Sequence, residues 1–563
     1  MTQESWTEYR RLSQLALNGE RQVAGEGFGR LLTTVTDASL QARIHNDLGV
    51  IAGMDGQIVA ACQAFDAAIR LAPEWSVPQE NRRQLEPVQN QFGVPPVPSP
   101  QPCGERARVR GFSSGTVPNS SATENSRRTR VAILSLLFNW PSIGGGTVHT
   151  AETGKFLAQA GYEVRHFYAQ FSEWGLGNVT EPPLAPSQAL VFTPAQWTVP
   201  EIQARFRAAL KAFEPDWVII TDSWNSKPLL AHAARDYKFL LRIAAQECLC
   251  PLNNVRLLYD EGRFHSCPKH QLATPADCCE CVFKNGKFSG GLHQAERELV
   301  NYGTNEYDST LRWAFANAEA VLVVNPLIGA MVSPYAKKVC VIPSGFDSAR
   351  FPKAATPARR ASKGSSPLGM GSSPLGMGLS SQPVSSPEPP LRILFAGLIH
   401  EIMKGFEVIH ESCRRLWNER QDFELLATAD PPGQLDEFTR YIGWQSQAAL
   451  PGVMSEADIV GFPTIAEEAL GRTAVEAMGA GRPVVASRIG GLQFTIVDGA
   501  TGLLFEPGNV NDLCSKLNRL LDDAELRERF GAAGRERFEE HYSWESILAK
   551  HYLPLLGNPV RNR

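Results

Sequence analysis

The sequence predicts two doubly wound α/β domains behind an N-terminal helical extension, and three observations carry that prediction. Short apolar runs alternate with helical patterns from Val131 onward. The same alternation restarts at Leu391. Two segments of strongly biased composition, one before Arg130 and one after Phe351, separate these parts. A chain of 563 residues is also too long for a single hydrophobic core.

Residues 1–85 read as helical. Leu48, Gly49, Ala52, Ala61, Phe65 and Ala68 recur at helical spacing, Gly53-Met54-Asp55-Gly56 breaks the run, and Pro73 follows it. The unit Ala42–Trp75 resembles a tetratricopeptide repeat, in which small residues let two antiparallel helices approach and Phe65 fills the groove. Tyr9–Val35 offers a degenerate neighbour, and the resemblance implies a protein-docking role. Residues 86–129 form a linker, because Val94–Pro100 holds too many prolines for an element interior.

Residues 130–351 make the first α/β domain. Val131–Phe138 suits a buried parallel strand, Gly144-Gly145-Gly146 makes a turn, and a helix is expected over Thr147–Gln159. Gly161–Tyr168, Trp217–Ile220, Lys238–Ala245 and Ala320–Val324 are further strands. Residues 352–390 contain Ser365–Gly371 repeated at Ser372–Gly378, a composition that reads as a flexible spacer. The second domain spans 391–553, with strands at Leu391–Gly397, Phe423–Ala427, Ile459–Phe462 and Pro483–Ala486. Its helices are expected near Leu513–Phe538 and Ser543–Tyr552, the last one packing back on the first domain, and 554–563 is a tail.

Composition excludes several classes. A formal charge of -4 gives no basic field for nucleic acid. The first residues lack a basic region followed by an apolar core, and no apolar run is long enough to span a bilayer. The expected location is the cytoplasm, with peripheral contact to the inner face of a membrane left open.

Two facing α/β domains create a cleft at the carboxyl ends of their strands, where a ligand binds. Gly145 and Gly146 allow close backbone approach there, and His149 just inside the helix is placed to face the cleft. The turn is not Gly-x-Gly-x-x-Gly, so it makes no case for a nicotinamide cofactor. Lys404-Gly405, between the first strand and helix of the second domain, can meet a phosphate. The richest segment is Pro463–Gly491. A strand ends near Phe462, an acidic loop holding Glu468 leads to Gly471, and a helix carries Arg472 and Glu476. As a bare pair, two carboxylates eight residues apart are equally a ligand wall or a solvated rim.

The ordered set of motifs decides between them. Gly144-Gly145-Gly146-x-x-His149, Pro343–Phe351, Lys404-Gly405, Glu468–Glu476, Gly490-Gly491, Asp498–Phe505 and Tyr542–Trp544 resemble the group-1 retaining glycosyltransferases of the GT-B fold. That family has two facing Rossmann-like domains. The resemblance implies a nucleotide-sugar donor and a hydroxyl acceptor, which is a carbohydrate, a lipid-linked sugar or another class. It implies that Lys404 contacts the diphosphate, Glu468 orients the sugar, and Glu476 holds the ribose. Gly145, Gly146, Gly405, Gly471 and Arg472 line the same site. It further implies retention of configuration without a catalytic metal or other cofactor. The chain departs from the family in having Leu398, not Arg, after Gly397, and one extra residue before Lys404. The histidine expected after the Lys238–Ala245 strand is replaced by Gln246-Glu247. A phosphorylase, a nucleotide-sugar hydrolase and a noncatalytic assembly protein are the alternative readings.

Six of the eleven cysteines crowd into Cys248–Cys281. Cys278-x-x-Cys281 with Cys250 and Cys267 has spacing suited to a structural Zn²⁺. Reduced packing thiols and disulfide or redox use are the other two readings, and glycosyl transfer gives a catalytic thiol no task.

Overall fold

The computed structural model describes residues 2–17, 21–54, 58–75, 78–79, 126–142, 144–260, 263–286, 289–351, 389–431 and 435–562. The Val94–Pro100 stretch, the 352–388 part of the spacer and the second half of the Gly53–Gly56 break lie outside them.

Four helices open the chain: α1 (Thr2–Leu17), α2 (Arg21–Leu32), α3 (Ala38–Met54) and α4 (Ile58–Leu71). They pack as two hairpins around Leu12, Phe28 and Ile44. In the second hairpin a Cβ on Gly49 would stand 2.6 Å from the Phe65 ring, so the close approach of α3 and α4 needs glycine there. Between the hairpins, the half-buried Asp47 carboxylate accepts hydrogen bonds from the Tyr9 hydroxyl at 2.9 Å and Ser13 at 3.0 Å.

The first α/β domain begins with β1 (Ser126–Arg128) and β2 (Arg130–Ser135), followed by α5 (Gly145–Gln159). Strands β3 (Glu163–Gln170), β4 (Ser187–Val191), β5 (Trp217–Thr221) and β6 (Phe239–Ile243) follow, with α6 (Lys227–Ala233) after β5. The Cys-rich stretch then forms a hairpin of β7 (Leu257–Asp260) and β8 (Arg263–Ser266), then α7 (Pro275–Asn285) and α8 (Gly291–Leu299). Strands β9 (Ala320–Val323) and β10 (Val339–Val341) complete a parallel sheet of order β10-β9-β6-β5-β2-β3-β4.

The second domain holds β11 (Leu391–Phe395), α9 (Phe406–Trp417), β12 (Phe423–Ala427), β13 (Thr439–Tyr441), β14 (Ile459–Phe462), α10 (Arg472–Gly479), β15 (Val484–Ser487) and β16 (Gly502–Phe505). Its parallel order is β13-β12-β11-β14-β15-β16. In both sheets the strand order reverses beside the first long strand, β2 or β11, which opens a crevice at their carboxyl ends. The Gly144–Gly146 turn and Lys404 both lie just past those ends.

Three details differ from the sequence expectation. Helix α5 starts at Gly145, so the glycines form its first turn and do not precede it. The helix expected over 513–538 is two, α11 (Val510–Asp522) and α12 (Ala524–His541), parted at Asp523, whose side chain caps the second by accepting from Leu526 N–H. The end of the expected linker is not open chain: β1 pairs antiparallel with β17 (Val560–Asn562), drawn from the expected tail. No local pattern betrays such a pairing, because each partner is three residues long and lies at the far end of the chain from the other.

After α12 the chain returns to the first domain, as expected. Trp544, Ile547, Tyr552 and Leu556 are buried against Val131, Ile133 and Phe156. Where it returns, it lies beside the outgoing connection: Phe346 N–H donates to Tyr542 O at 2.8 Å, and Trp544 N–H to Phe346 O at 3.1 Å.

Candidate active site

Lys404 ends a tight turn over Ile402–Lys404, and Gly405 follows at φ 73° to start α9. A Cβ on Gly405 would stand 1.9 Å from Pro463 O, so the turn is laid directly on the loop after β14. Thr464 Oγ1 and Ile465 N–H both donate to Met403 O, at 2.8 and 2.9 Å. This lacing delivers the Lys404 ammonium to Glu468, Nζ to Oε1 at 2.6 Å. Burial works against the Lys404 charge, but the Glu468 carboxylate outweighs it, with Glu401 adding, and the ammonium titrates above its usual range.

Glu468 is fixed from below by the Gly490-Gly491 pair. Gly491 N–H donates to Glu468 O at 2.7 Å, and a Cβ on Gly491 would stand 1.9 Å from Ala469 O. The loop turns into α10 through Gly471 at φ 76°. One turn into that helix Glu476 is buried, and its Oε1 has no hydrogen-bond partner in the protein. Burial raises its pKa, against the opposing charges of Arg472 and Arg350. Arg350 Nη1 stands 3.7 Å from that oxygen. Lys404 and Glu468 thus meet directly, and Glu476 lies on the helix that follows the Glu468 loop.

Arg472 opens α10 and crosses to the facing domain. Its guanidinium carbon lies 4.3 Å from the Phe346 ring centre, and Nη2 is 4.0 Å from Glu152 Oε2 on α5. Its Cδ would be 2.7 Å from a Cβ on Gly145, so glycine at 145 leaves the room that Arg472 occupies. At Gly146 a Cβ would face Asp222 Oδ1 at 3.9 Å. The glycine turn thus packs against an arginine on one side and an aspartate on the other.

Sequence reasoning missed Asp222. It follows β5 with φ 43°, and its Oδ1 accepts from Thr147 Oγ1 at 3.0 Å while Oδ2 is buried without a partner. Burial pushes its carboxyl up to about 7, against the Thr147 hydrogen bond and the Lys227 charge. Lys227, wholly buried on α6, also leaves its Nζ unpartnered. The one legible signal was position: a charged residue at the carboxyl end of a central strand.

His149 needs correction. It does not face the cleft: it is 2% exposed, its ring stacked on Trp544 with centroids 5.4 Å apart. Burial, then Arg242 and Arg472, depress its pKa well below the usual imidazole value. Trp544 belongs to the returning segment, so nothing local to His149 signals the stacking.

The Cys-rich stretch reaches the loop before Glu468 through Arg256. Its backbone adopts φ 52°, and its guanidinium stands 3.7 Å from Glu467 Oε2 and donates to Cys267 O. Cys278 is pushed up to about 12, first by burial and then by the nearby Cys250, Cys267 and Cys281 thiols. These four sulfurs share one neighbourhood. Yet among the described residues no group of three or more His, Cys, Asp or Glu side chains is gathered as a metal holder. Cys278 lies on a helix and Cys267 just past a hairpin strand, and spacing alone does not fix how those elements meet. The nine cysteines whose side chains are described are all free thiols.

Comparison with known proteins adds a second line. Residues 380–537 match the family model described as glycosyl transferases group 1. Over 182 residues the chain is 32% identical to phosphatidyl-myo-inositol mannosyltransferase of Mycobacterium leprae, covering 31% of this chain and 48% of that protein. Over 177 residues it is 37% identical to a sulfoquinovosyl transferase of Arabidopsis thaliana, covering 29% of this chain and 32% of that protein. The chain spans less than half the length of these two relatives. Among solved structures, sucrose-phosphate synthase from Thermosynechococcus elongatus superposes with a TM-score of 0.50 at 20% identity, over 76% of this chain and 99% of that one. The shared feature is the GT-B arrangement of two facing Rossmann-like domains.

Proposed function

Because its C-terminal domain belongs to the group 1 glycosyl transferases, we propose that this chain moves a glycosyl group from a nucleotide-sugar donor to a hydroxyl acceptor with retention of configuration. The observation that carries the reading is the Lys404–Glu468 ion pair, with the buried Glu476 on the helix that follows, inside the segment the family model matches. Glu476 receives the ribose hydroxyls, Glu468 the hydroxyls of the transferred sugar, and Lys404 the diphosphate.

The chemistry follows from charge. As the anomeric C–O bond breaks, negative charge grows on the leaving diphosphate and positive character on the sugar. Lys404 and the first amides of α10 stabilise the former more in the transition state than in the ground state. The departing phosphate accepts the proton of the incoming hydroxyl, so neither a protein nucleophile nor a catalytic metal has a task in this scheme. Closing the cleft aligns the substrates and excludes water.

The acceptor is a carbohydrate, a lipid-linked sugar or another hydroxyl compound, and the N-terminal hairpins are a docking element for a protein partner. No helix among the described residues is long and apolar enough to cross a membrane. A cytoplasmic location, with peripheral contact to a membrane, belongs to the same reading.

The test is a donor panel scored for nucleotide release with mixed acceptors, run on the wild type, Lys404→Ala and Glu476→Ala. Turnover that both substitutions cut by about a hundredfold or more supports the assignment. Turnover that neither affects, or none on any donor, overturns it.

A further inference from the structure

We propose that Arg472 is the second cation for the donor diphosphate, standing in for the arginine absent at Leu398, and that Glu152 is the positioning residue that holds it across the cleft. The inference rests on the nucleotide-sugar reading of this site and adds to it a residue from the opposite domain.

Four observations support it. Leu398 leaves Lys404 as the one cation of its own loop, and that lysine is already engaged by Glu468 at 2.6 Å. Arg472 carries two guanidinium nitrogens, Nη1 and Nη2, that are shielded from solvent and bonded to nothing in the protein. A guanidinium held this way leaves donors unspent, and a diphosphate supplies the acceptors that satisfy them in pairs. The group is aimed rather than loose: it lies on the Phe346 ring at 4.3 Å and its stem on Gly145, at the first turn of α5.

Glu152 supplies the direction. Its carboxylate is buried on α5, accepts from Trp544 Nε1 at 3.2 Å and stands 4.0 Å from Arg472 Nη2. At that distance it attracts Arg472 without consuming its hydrogen bonds. Glu476 carries a further buried carboxylate, and its opposing charge acts on Arg472 from within the same helix. With acids on both sides, removing one lets the arginine swing toward the other. Because the guanidinium is shielded, the domains part to admit the donor and Arg472 closes on the phosphates afterwards.

The experiment measures binding of inorganic pyrophosphate, UDP, GDP and ADP to the full chain by calorimetry, so it reads the site without turnover. Arg472→Ala is expected to weaken whichever of these the wild type binds by about tenfold or more, and Glu152→Gln by a smaller factor. The double variant is expected to be no weaker than Arg472→Ala alone, because Glu152 acts through Arg472. Lys404→Ala, combined with Arg472→Ala, should be additive. Melting curves confirm that each variant is folded. A merely structural contact predicts lowered melting temperature with wild-type affinity, and that result overturns the proposal. So do additive losses for Glu152→Gln and Arg472→Ala, or a wild type that binds none of the four probes. Diphosphate binding that follows this pattern in a protein with no transfer activity would defeat the transfer reading and leave the Arg472 site standing.

Discussion

Lys404 and Glu468 form a 2.6 Å ion pair between two loops 64 residues apart. The two groups proposed to meet the diphosphate and the sugar thus neutralise each other when the cleft holds no ligand. A donor therefore competes with Glu468 for the ammonium, and the pair sets how much of that attraction is left for phosphate.

The first prediction separates the two roles. Glu468→Gln releases Lys404, so pyrophosphate binding should tighten while turnover falls, since the transferred sugar loses its carboxylate. Lys404→Ala should lose both, with kcat down by about a hundredfold or more. Calorimetry and a nucleotide-release assay read the opposite signs directly.

Glu476→Gln tests the ribose contact against stability. Burial raises the pKa of Glu476, so its folded-state contribution is present at low pH and lost as pH rises through that raised value. The glutamine variant should melt higher than the wild type at pH 8, with the gap closing toward pH 4. Its donor KM should nonetheless rise by about tenfold.

Gly405→Ala probes the seat of the lysine turn. A Cβ there meets Pro463 O at 1.9 Å at a φ of 73°. Gly508 has φ 75° with nothing within 4 Å, which makes Gly508→Ala the control for strain alone. Chemical denaturation should show about 1 kcal/mol lost in the control and at least about 2 kcal/mol in Gly405→Ala.

Two buried groups of the first domain should give opposite pH slopes. Asp222 holds its proton to about 7 when folded against 3.8 ordinarily, so its stabilising share is complete below 3.8 and lost as pH rises to 7. His166, bonded to Ser135 Oγ at 2.5 Å, is depressed by burial from 6.5 to about 3, so its share is complete above 6.5 and lost as pH falls toward 3. Melting temperature against pH should therefore flatten on the alkaline side in Asp222→Asn and on the acid side in His166→Gln.

The thiols offer a fifth test. Burial holds back Cys248, Cys250 and Cys278, the last raised to about 12, so these three thiols should react slowly in the native protein, while all six of the Cys248–Cys281 stretch should titrate on denaturation in the absence of a metal. One zinc per chain, lost together with Cys278→Ser and Cys281→Ser, would show that a metal draws this neighbourhood closed.

How much of this was legible depends on whether the signal is local. Glu468, Gly471 and Glu476 lie within nine residues, so a loop, a left-handed glycine and a helix of eight residues could be read there from local pattern. Lys404 was legible for the same reason: one strand end, one turn, one helix. Glu152, Asp222 and the burial of His149 were not, because each depends on residues brought from elsewhere. Trp544 lies 392 residues beyond the Glu152 it bonds, and no periodicity encodes that distance. The β1–β17 pairing was lost likewise, its strands too short to carry a pattern.

That return path also governs how the enzyme frame can open. The chain passes between its two halves near Phe346–Phe351 and comes back near Tyr542–Trp544, and the two passages are stitched side by side by Phe346. A joint with two attached leaves bends about the line between them but resists torsion. The opening such a joint allows is a single-axis swing, which keeps Arg472 in line with the Gly145 turn. A label on Phe494 and another on Trp174 would report one distance coordinate, with cutting of the peptide after Tyr542 converting it into many.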